Sequence, residues 1–114
     1  MVVDKSDTAD VDLIFHALAD ATRRDIITRV LRAEQSVSAL AQHYSMSFAA
    51  VQKHVAVLER AALVSKERRG REQVVHADVT SLRRAAQLLA AYEKLWRDRV
   101  GGIEQLLAED RERQ

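Results

Sequence analysis

Apolar side chains at Phe48, Val51, Val55, Leu58 and Ala62 follow one another at intervals of three, four, three and four residues. That rhythm is one face of an α-helix, not the every-second-residue rhythm of a half-buried strand. Ser47, just ahead of it, is a good N-cap. Upstream, Leu13, Ile14, Ala17 and Leu18 predict a helix that Asp10 can cap. A second helix, opened by Asp20 or Thr22, places Ile26, Ile27, Val30 and Leu31 on one stripe. Ala33-Glu34-Gln35 reads as a short connection, after which Ser36 or Ser38 caps a brief third helix packing Val37, Leu40, Ala41 and Tyr44.

Past Ala62 the period changes. Leu63 to Arg68 and Glu72 to Ala77 read as two short strands around Arg69-Gly70-Arg71, where Gly70 supplies the positive φ of a tight hairpin turn. Asp78 or Thr80 then caps a long last helix. Leu82, Ala85, Leu89, Tyr92, Trp96, Ile103 and Leu106 fall on a seven-residue repeat broken by Arg99, and Leu88 and Leu95 widen the stripe. Gly101-Gly102 predicts a kink or a frayed end, because each glycine costs a helix roughly 1 kcal/mol. The order is ααααββα: a mainly α chain with a small β-hairpin. Two short helices joined by a few residues and followed at once by a hairpin describe a winged helix-turn-helix.

The 114 residues make one domain, expected over 10–110 behind a flexible terminus at 1–9. A chain this small buries about two-thirds of its unfolded surface, so an exposed apolar helix favours dimerisation. There is no run of about 18 apolar residues to span a membrane, and Met1 to Asp10 lacks the apolar core of a signal peptide, so a cytoplasmic location is expected. The chain has no cysteine, which removes disulfides, thiolate metal sites and cysteine nucleophiles. His16, His43, His54 and His76 are too widely spaced to pair on one helical face, so no metal or other cofactor is expected. Nor does any nucleophile–base pair, carboxylate dyad or glycine-rich phosphate loop point to an enzyme.

The net charge of +1 is unevenly spread. Residues 1–46 carry five basic and seven acidic groups, 47–72 six and three, and 73–114 seven of each. The positive excess therefore coincides with the helix from Ser47 and the hairpin, as a phosphate-binding surface requires. With Phe48, Val51, Val55 and Leu58 turned to the core, Ala49, Lys53, Ala56 and Arg60 face outward, flanked by Ala50 and Val57. Small side chains let the backbone approach a groove. Ser47 and Lys53 offer donors, and Gln52 matches the bidentate edge of adenine. His54 can reach phosphate or bond within the domain. Arg68, Arg69 and Arg71 crowd the hairpin tip and repel one another unless an anion is near; Lys66 adds a fourth cation. Arg23 and Arg24, in the first turn of their helix, also need an anionic partner, either Asp20 or a phosphate.

The stretches Ala17 to Ile26, Val37 to Ala41, Met46 to Glu59, Leu63-Val64 and Arg69-Gly70-Arg71 resemble, in order, the ArsR family of bacterial winged-helix regulators. The resemblance covers residues 13–78. It implies a homodimer paired through the first and last helices, a palindromic double-stranded DNA operator, and repression of the operon it controls. The family's recognition helix maps onto Ser47 to Val57 (here Ser47, Ala49, Ala50, Gln52, Lys53 and His54, with Arg60 beyond), and its wing onto Arg68 to Arg71, with Lys66 beside it. Leu13, Leu82, Leu89, Tyr92, Trp96 and Ile103 are the expected dimer interface. The absence of cysteine, and of any histidine from Val79 onward, separates the chain from the metal-sensing members. It resembles the cysteine-free branch, leaving a small-molecule inducer of unknown identity as a further partner. Val75 replaces an aromatic that many relatives carry near the end of the wing. The competing reading is a protein-interaction module that keeps the winged-helix shape without binding DNA.

Overall fold

A computed structural model describes the backbone of residues 5–113 and the side chains of residues 10–113. The elements are α1 (Lys5–Leu18), α2 (Ala21–Arg32), β1 (Gln35–Ser36), α3 (Val37–Ala41), α4 (Phe48–Arg60), β2 (Val64–Arg69), β3 (Glu72–Ala77) and α5 (Val79–Arg113). Three helix starts rest on the caps expected of them. The Asp20 carboxylate accepts the Arg23 amide at 3.0 Å, Ser36 Oγ that of Ala39 at 3.1 Å, and Ser47 Oγ that of Ala50 at 3.1 Å. At α5 the cap is Asp78, which accepts from the Thr80 amide at 3.0 Å.

Ile14 and Ala17 of α1, Ile26, Ile27 and Val30 of α2, Val37 and Leu40 of α3, and Val51, Val55 and Leu58 of α4 close one core with Leu63, Val64, Val75 and Ala85. The wing is one strand richer than a hairpin. β1 pairs antiparallel with β3 (Ser36 opposite Val74), giving the order β1-β3-β2. A two-residue strand leaves no periodicity to read, so in the sequence Gln35 reads as a connection. In β2, Lys66 faces Val75 and Arg69 faces Glu72 across the ladder, which leaves Gly70 and Arg71 as the turn, with Gly70 at φ +60°.

Other expectations give way. Helix α1 starts at Lys5, so Asp10 is not a cap but lies inside it, where its carboxylate pairs with Arg84 of α5 at 3.2 Å. The backbone of 5–9 is thus helical, and residues 1–4 of the segment expected to be flexible lie outside the described residues. Leu31, Phe48 and Ala62 are exposed rather than buried. Ala62 lies past the end of α4 at φ +55°. Its amide bonds Glu59 O (2.9 Å) while the Leu63 amide bonds Leu58 O (3.0 Å), the paired closure of a Schellman motif, with Leu58 and Leu63 both buried beneath. Arg23 attracts the Asp20 carboxylate, as expected, but Arg23 and Arg24 both donate hydrogen bonds to carbonyls. Arg23 donates to Ala17 O (2.8 Å) and His16 O (2.9 Å), and Arg24 to Leu18 O (2.8 Å), so both cap the negative C-terminal end of α1.

Helix α5 runs unbroken through Gly101 and Gly102 for 35 residues, about 50 Å. Its first turns pack Ser81, Leu82 and Ala85 on the domain; beyond Ala85, every described residue except Leu88 and Val100 is exposed. The projecting helix gives a radius of gyration of 20.5 Å, against about 13 Å for a compact chain of this length.

Candidate nucleic-acid interface

Helix α4 presents an outer face because its back is fixed. Val51, Val55 and Leu58 are buried, so the intervening side chains turn outward. Ala49, Gln52 and Lys53 are exposed, and Ala50 is half-buried beside them. Ser47 spends its oxygen on the Ala50 amide and keeps its own O–H to donate. Phe48, the first residue of the helix, is 46% exposed.

A cleft of about 240 Å³ separates this end of α4 from the wing, lined by Val37, Ser38, Phe48, Gln52, Arg68, Arg71, Glu72 and Gln73. Two arginines therefore share this cleft with Phe48 and Gln52 of α4. Strand alternation explains the selection. Lys66 and Arg68 share the face of β2 turned towards α4, and Glu67 and Arg69 share the other. Lys66, closer to the core, pairs with Glu59 of α4 at 3.5 Å.

Arg69 belongs to a separate cluster on the far face. It hydrogen-bonds both carboxylate oxygens of Glu34 and reaches Glu67 at 3.3 Å. His76 sits between the same carboxylates, Nδ1 at 3.0 Å from Glu34 and Nε2 at 2.9 Å from Glu67. The Arg69 hydrogen bond holds the Glu34 carboxyl below its ordinary range, and His76, then Arg69, do the same for Glu67. For Arg69, the anion needed at the crowded hairpin tip is thus supplied by the chain itself.

Of the residues expected at the interface, Gln52, Arg68 and Arg71 line this one cleft, while Ser47, Ala49, Ala50 and Lys53 lie on α4 or its cap outside the lining. His54 is turned inward, its Nδ1 3.4 Å from Arg23 Nη1 and 3.8 Å from Asp20. Arg60, at the far end of α4, borders a second groove of about 220 Å³ with Leu13, His16 and Val57. Leu13, Leu89, Tyr92, Trp96 and Ile103 are exposed and free to meet a partner, whereas Leu82 packs on the core. Ser38, Phe48 and Gln73 line the cleft without having been expected there. Only the proximity of β3 to α3, invisible in the sequence, brings Ser38 and Gln73 in.

No family model matches the chain. The HTH-type transcriptional regulator Rv2034 of Mycobacterium tuberculosis is 34% identical over 96 residues, which span 84% of this chain and 87% of that protein. An ArsR-like transcriptional regulator from Rhodococcus sp. RHA1 is also 34% identical, and its structure superposes with a TM-score of 0.74 over 87% of this chain and 93% of that one. The chain belongs to the ArsR family of winged helix-turn-helix transcriptional regulators. The crystal structure of another ArsR family regulator, 28% identical, gives a TM-score of 0.77 over 85% of this chain and 97% of the other. As an ArsR-family member the chain is a transcriptional regulator and not an enzyme. No helix among the described residues is long and apolar enough to cross a membrane.

Proposed function

We propose that this ArsR-family regulator is a cytoplasmic homodimer that binds a palindromic site in duplex DNA and represses the promoter carrying it. Helix α4 enters the major groove with Ala49, Gln52 and Lys53 towards the base edges, and Arg68 and Arg71 hold the flanking phosphates. The observation that carries this reading is the cleft itself. Phe48 and Gln52 of α4 line it together with Arg68 and Arg71 of the wing, and Ala49 and Lys53 stay exposed on the same helix, whose back is locked in the core.

The dimer follows from α5. Leu89, Tyr92, Leu95, Trp96, Ile103, Leu106 and Leu107 are all at least half exposed along it, too long an apolar stripe to stand in water. Helices without tertiary support are marginal in water, so a partner that covers this face also stabilises it. A second copy carries the same stripe, and the pair would set two α4 helices against half-sites about one DNA turn apart. The test is fluorescence anisotropy on a labelled duplex from the regulator's own upstream region. Binding that weakens steeply with salt, together with a two-fold footprint and lower transcription in vitro, is expected. Absence of binding, or binding indifferent to salt, refutes the reading.

A further inference from the structure

Phe48 is an aromatic that the fold does not use. Helical spacing assigns it to the stripe of Val51, Val55 and Leu58, yet those three are at most 1% exposed while Phe48 stands nearly half in solvent. The core closes without the ring, and phenylalanine is a middling helix former, so neither packing nor propensity explains it. Its position does distinguish it. Phe48 lies one turn from Gln52, and residues four apart in a helix are surface neighbours. Both line the cleft that Arg68 and Arg71 border. Around it Ala49 and Ala50 are too short to extend from the helix, and the Ser47 oxygen is held by the Ala50 amide. From 47 to 50, Phe48 is the side chain that projects furthest.

We propose that Phe48 and Gln52 form a base-reading pair for adjacent A·T positions: the Gln52 amide bonds adenine while the Phe48 ring packs on the 5-methyl group of thymine. This rests on the DNA-binding reading above. In the major groove thymine alone presents a methyl group, and adenine alone presents the acceptor–donor edge that an amide matches. A phenyl ring offers no hydrogen bond. Set against the cytosine amino group or guanine O6 it would strip water from a polar atom and replace nothing, which makes it selective by exclusion as well as by contact. The two arginines bring the polyanionic backbone to the same cleft, so the ring meets a base edge and not another apolar surface.

Deoxyuridine differs from thymidine in DNA only by lacking that methyl group, so it is the probe. After footprinting the bound site, each thymine is replaced singly by deoxyuridine, and affinity is measured for the wild type, Phe48→Leu and Phe48→Ala. One thymine in each half-site should be sensitive, the wild type losing about 3–5-fold on replacement, as expected for one buried methyl group. Phe48→Ala should bind thymine and uracil duplexes alike, and Phe48→Leu should lie between. Thermal melts should show all three folded, since the ring takes no part in the core. Equal sensitivity of Phe48→Ala and wild type, or no sensitive thymine, overturns the pair while leaving DNA binding intact. A ring wedged between base pairs would show as a duplex bend that disappears in Phe48→Ala with no uracil effect, which also overturns it. Failure of the wild type to bind any duplex would instead sink the DNA-binding reading, and the pair with it.

Discussion

Arg69 at the tip of the wing and Glu34 in the connection after α2 are joined by two hydrogen bonds, although 35 residues separate them in sequence. The wing is thereby tied to the helical body on the side away from α4. This cation of the wing tip is committed to a carboxylate before any ligand arrives, whereas Arg68 and Arg71 remain in the cleft.

The three arginines should therefore differ in effect. Arg68→Ala and Arg71→Ala are each expected to weaken DNA binding several-fold and to make the salt slope shallower by about one for each phosphate no longer neutralised. Arg69→Ala should cost less affinity than either and should loosen the wing instead, seen as faster amide exchange in β2 and β3. Anisotropy titrations of the three variants check this, and an Arg69→Ala defect larger than the other two contradicts it.

The projecting half of α5 predicts the assembly state. Leu89→Asp and Trp96→Asp place charge on side chains that are 55% and 61% exposed in the single chain, so the domain core is untouched. Both variants are expected to sediment as monomers, to lose helicity in the distal part of α5, and to bind a single half-site weakly. Sedimentation velocity at micromolar concentration decides the matter: an unchanged dimer shows that α5 is not the interface.

Ala62→Gly should stabilise the domain. Alanine at φ +55° bears a steric strain that glycine does not, and the gain left after glycine's greater freedom in the unfolded chain is about 0.5–1 kcal/mol. A melting temperature raised by about 2–5 °C is the expected result. A fall would show that the methyl group packs usefully against a neighbour.

Asp25 and Tyr44 predict the pH limits of stability. Tyr44 Oη donates to the Asp25 carboxylate at 2.6 Å and Arg29 Nε at 2.8 Å, the tyrosine bond being the main cause that holds Asp25 below its ordinary value of 3.8. Its stabilisation is present above that value and is lost as the pH falls through the lower native one. Burial, with the Asp25 bond second, pushes Tyr44 from 10.0 up to about 12, so its contribution is complete below pH 10 and is lost as the pH rises towards 12. Asp25→Asn should flatten the acid limb of a melting-temperature profile, and Tyr44→Phe the alkaline limb. A tyrosine absorbing as phenolate near pH 10, and absent from Tyr44→Phe, would contradict the assignment.

Helices and their caps were legible because they are local. Asp20, Ser36 and Ser47 lie next to the amides they bond, and a stripe such as Val51, Val55 and Leu58 needs only its own helix to be read. The three misplaced apolar residues sit at helix ends, where periodicity runs past the point at which the backbone turns. Ala62 follows a left-handed closure, Phe48 precedes the first buried turn, and Leu31 lies in the last turn of α2. The site divides the same way. Exposed α4 positions could be read from the wheel, but which wing cations face α4 depends on strand alternation measured from a register the sequence does not show. The partners of Arg23, Arg69 and His54 come from other elements, so charge patterning found the cations without their carbonyls and carboxylates.

The most direct measurement is the salt dependence of binding to the upstream duplex, for the wild type and for Lys53→Ala/Arg68→Ala, both shown folded by their melts. A log–log slope that is linear and steep in the wild type is the expected result, and in the double variant it should be shallower by about one for each phosphate left without its cation over both protomers. Equal slopes and equal affinities would mean that the face of α4 and the wing are not where DNA binds.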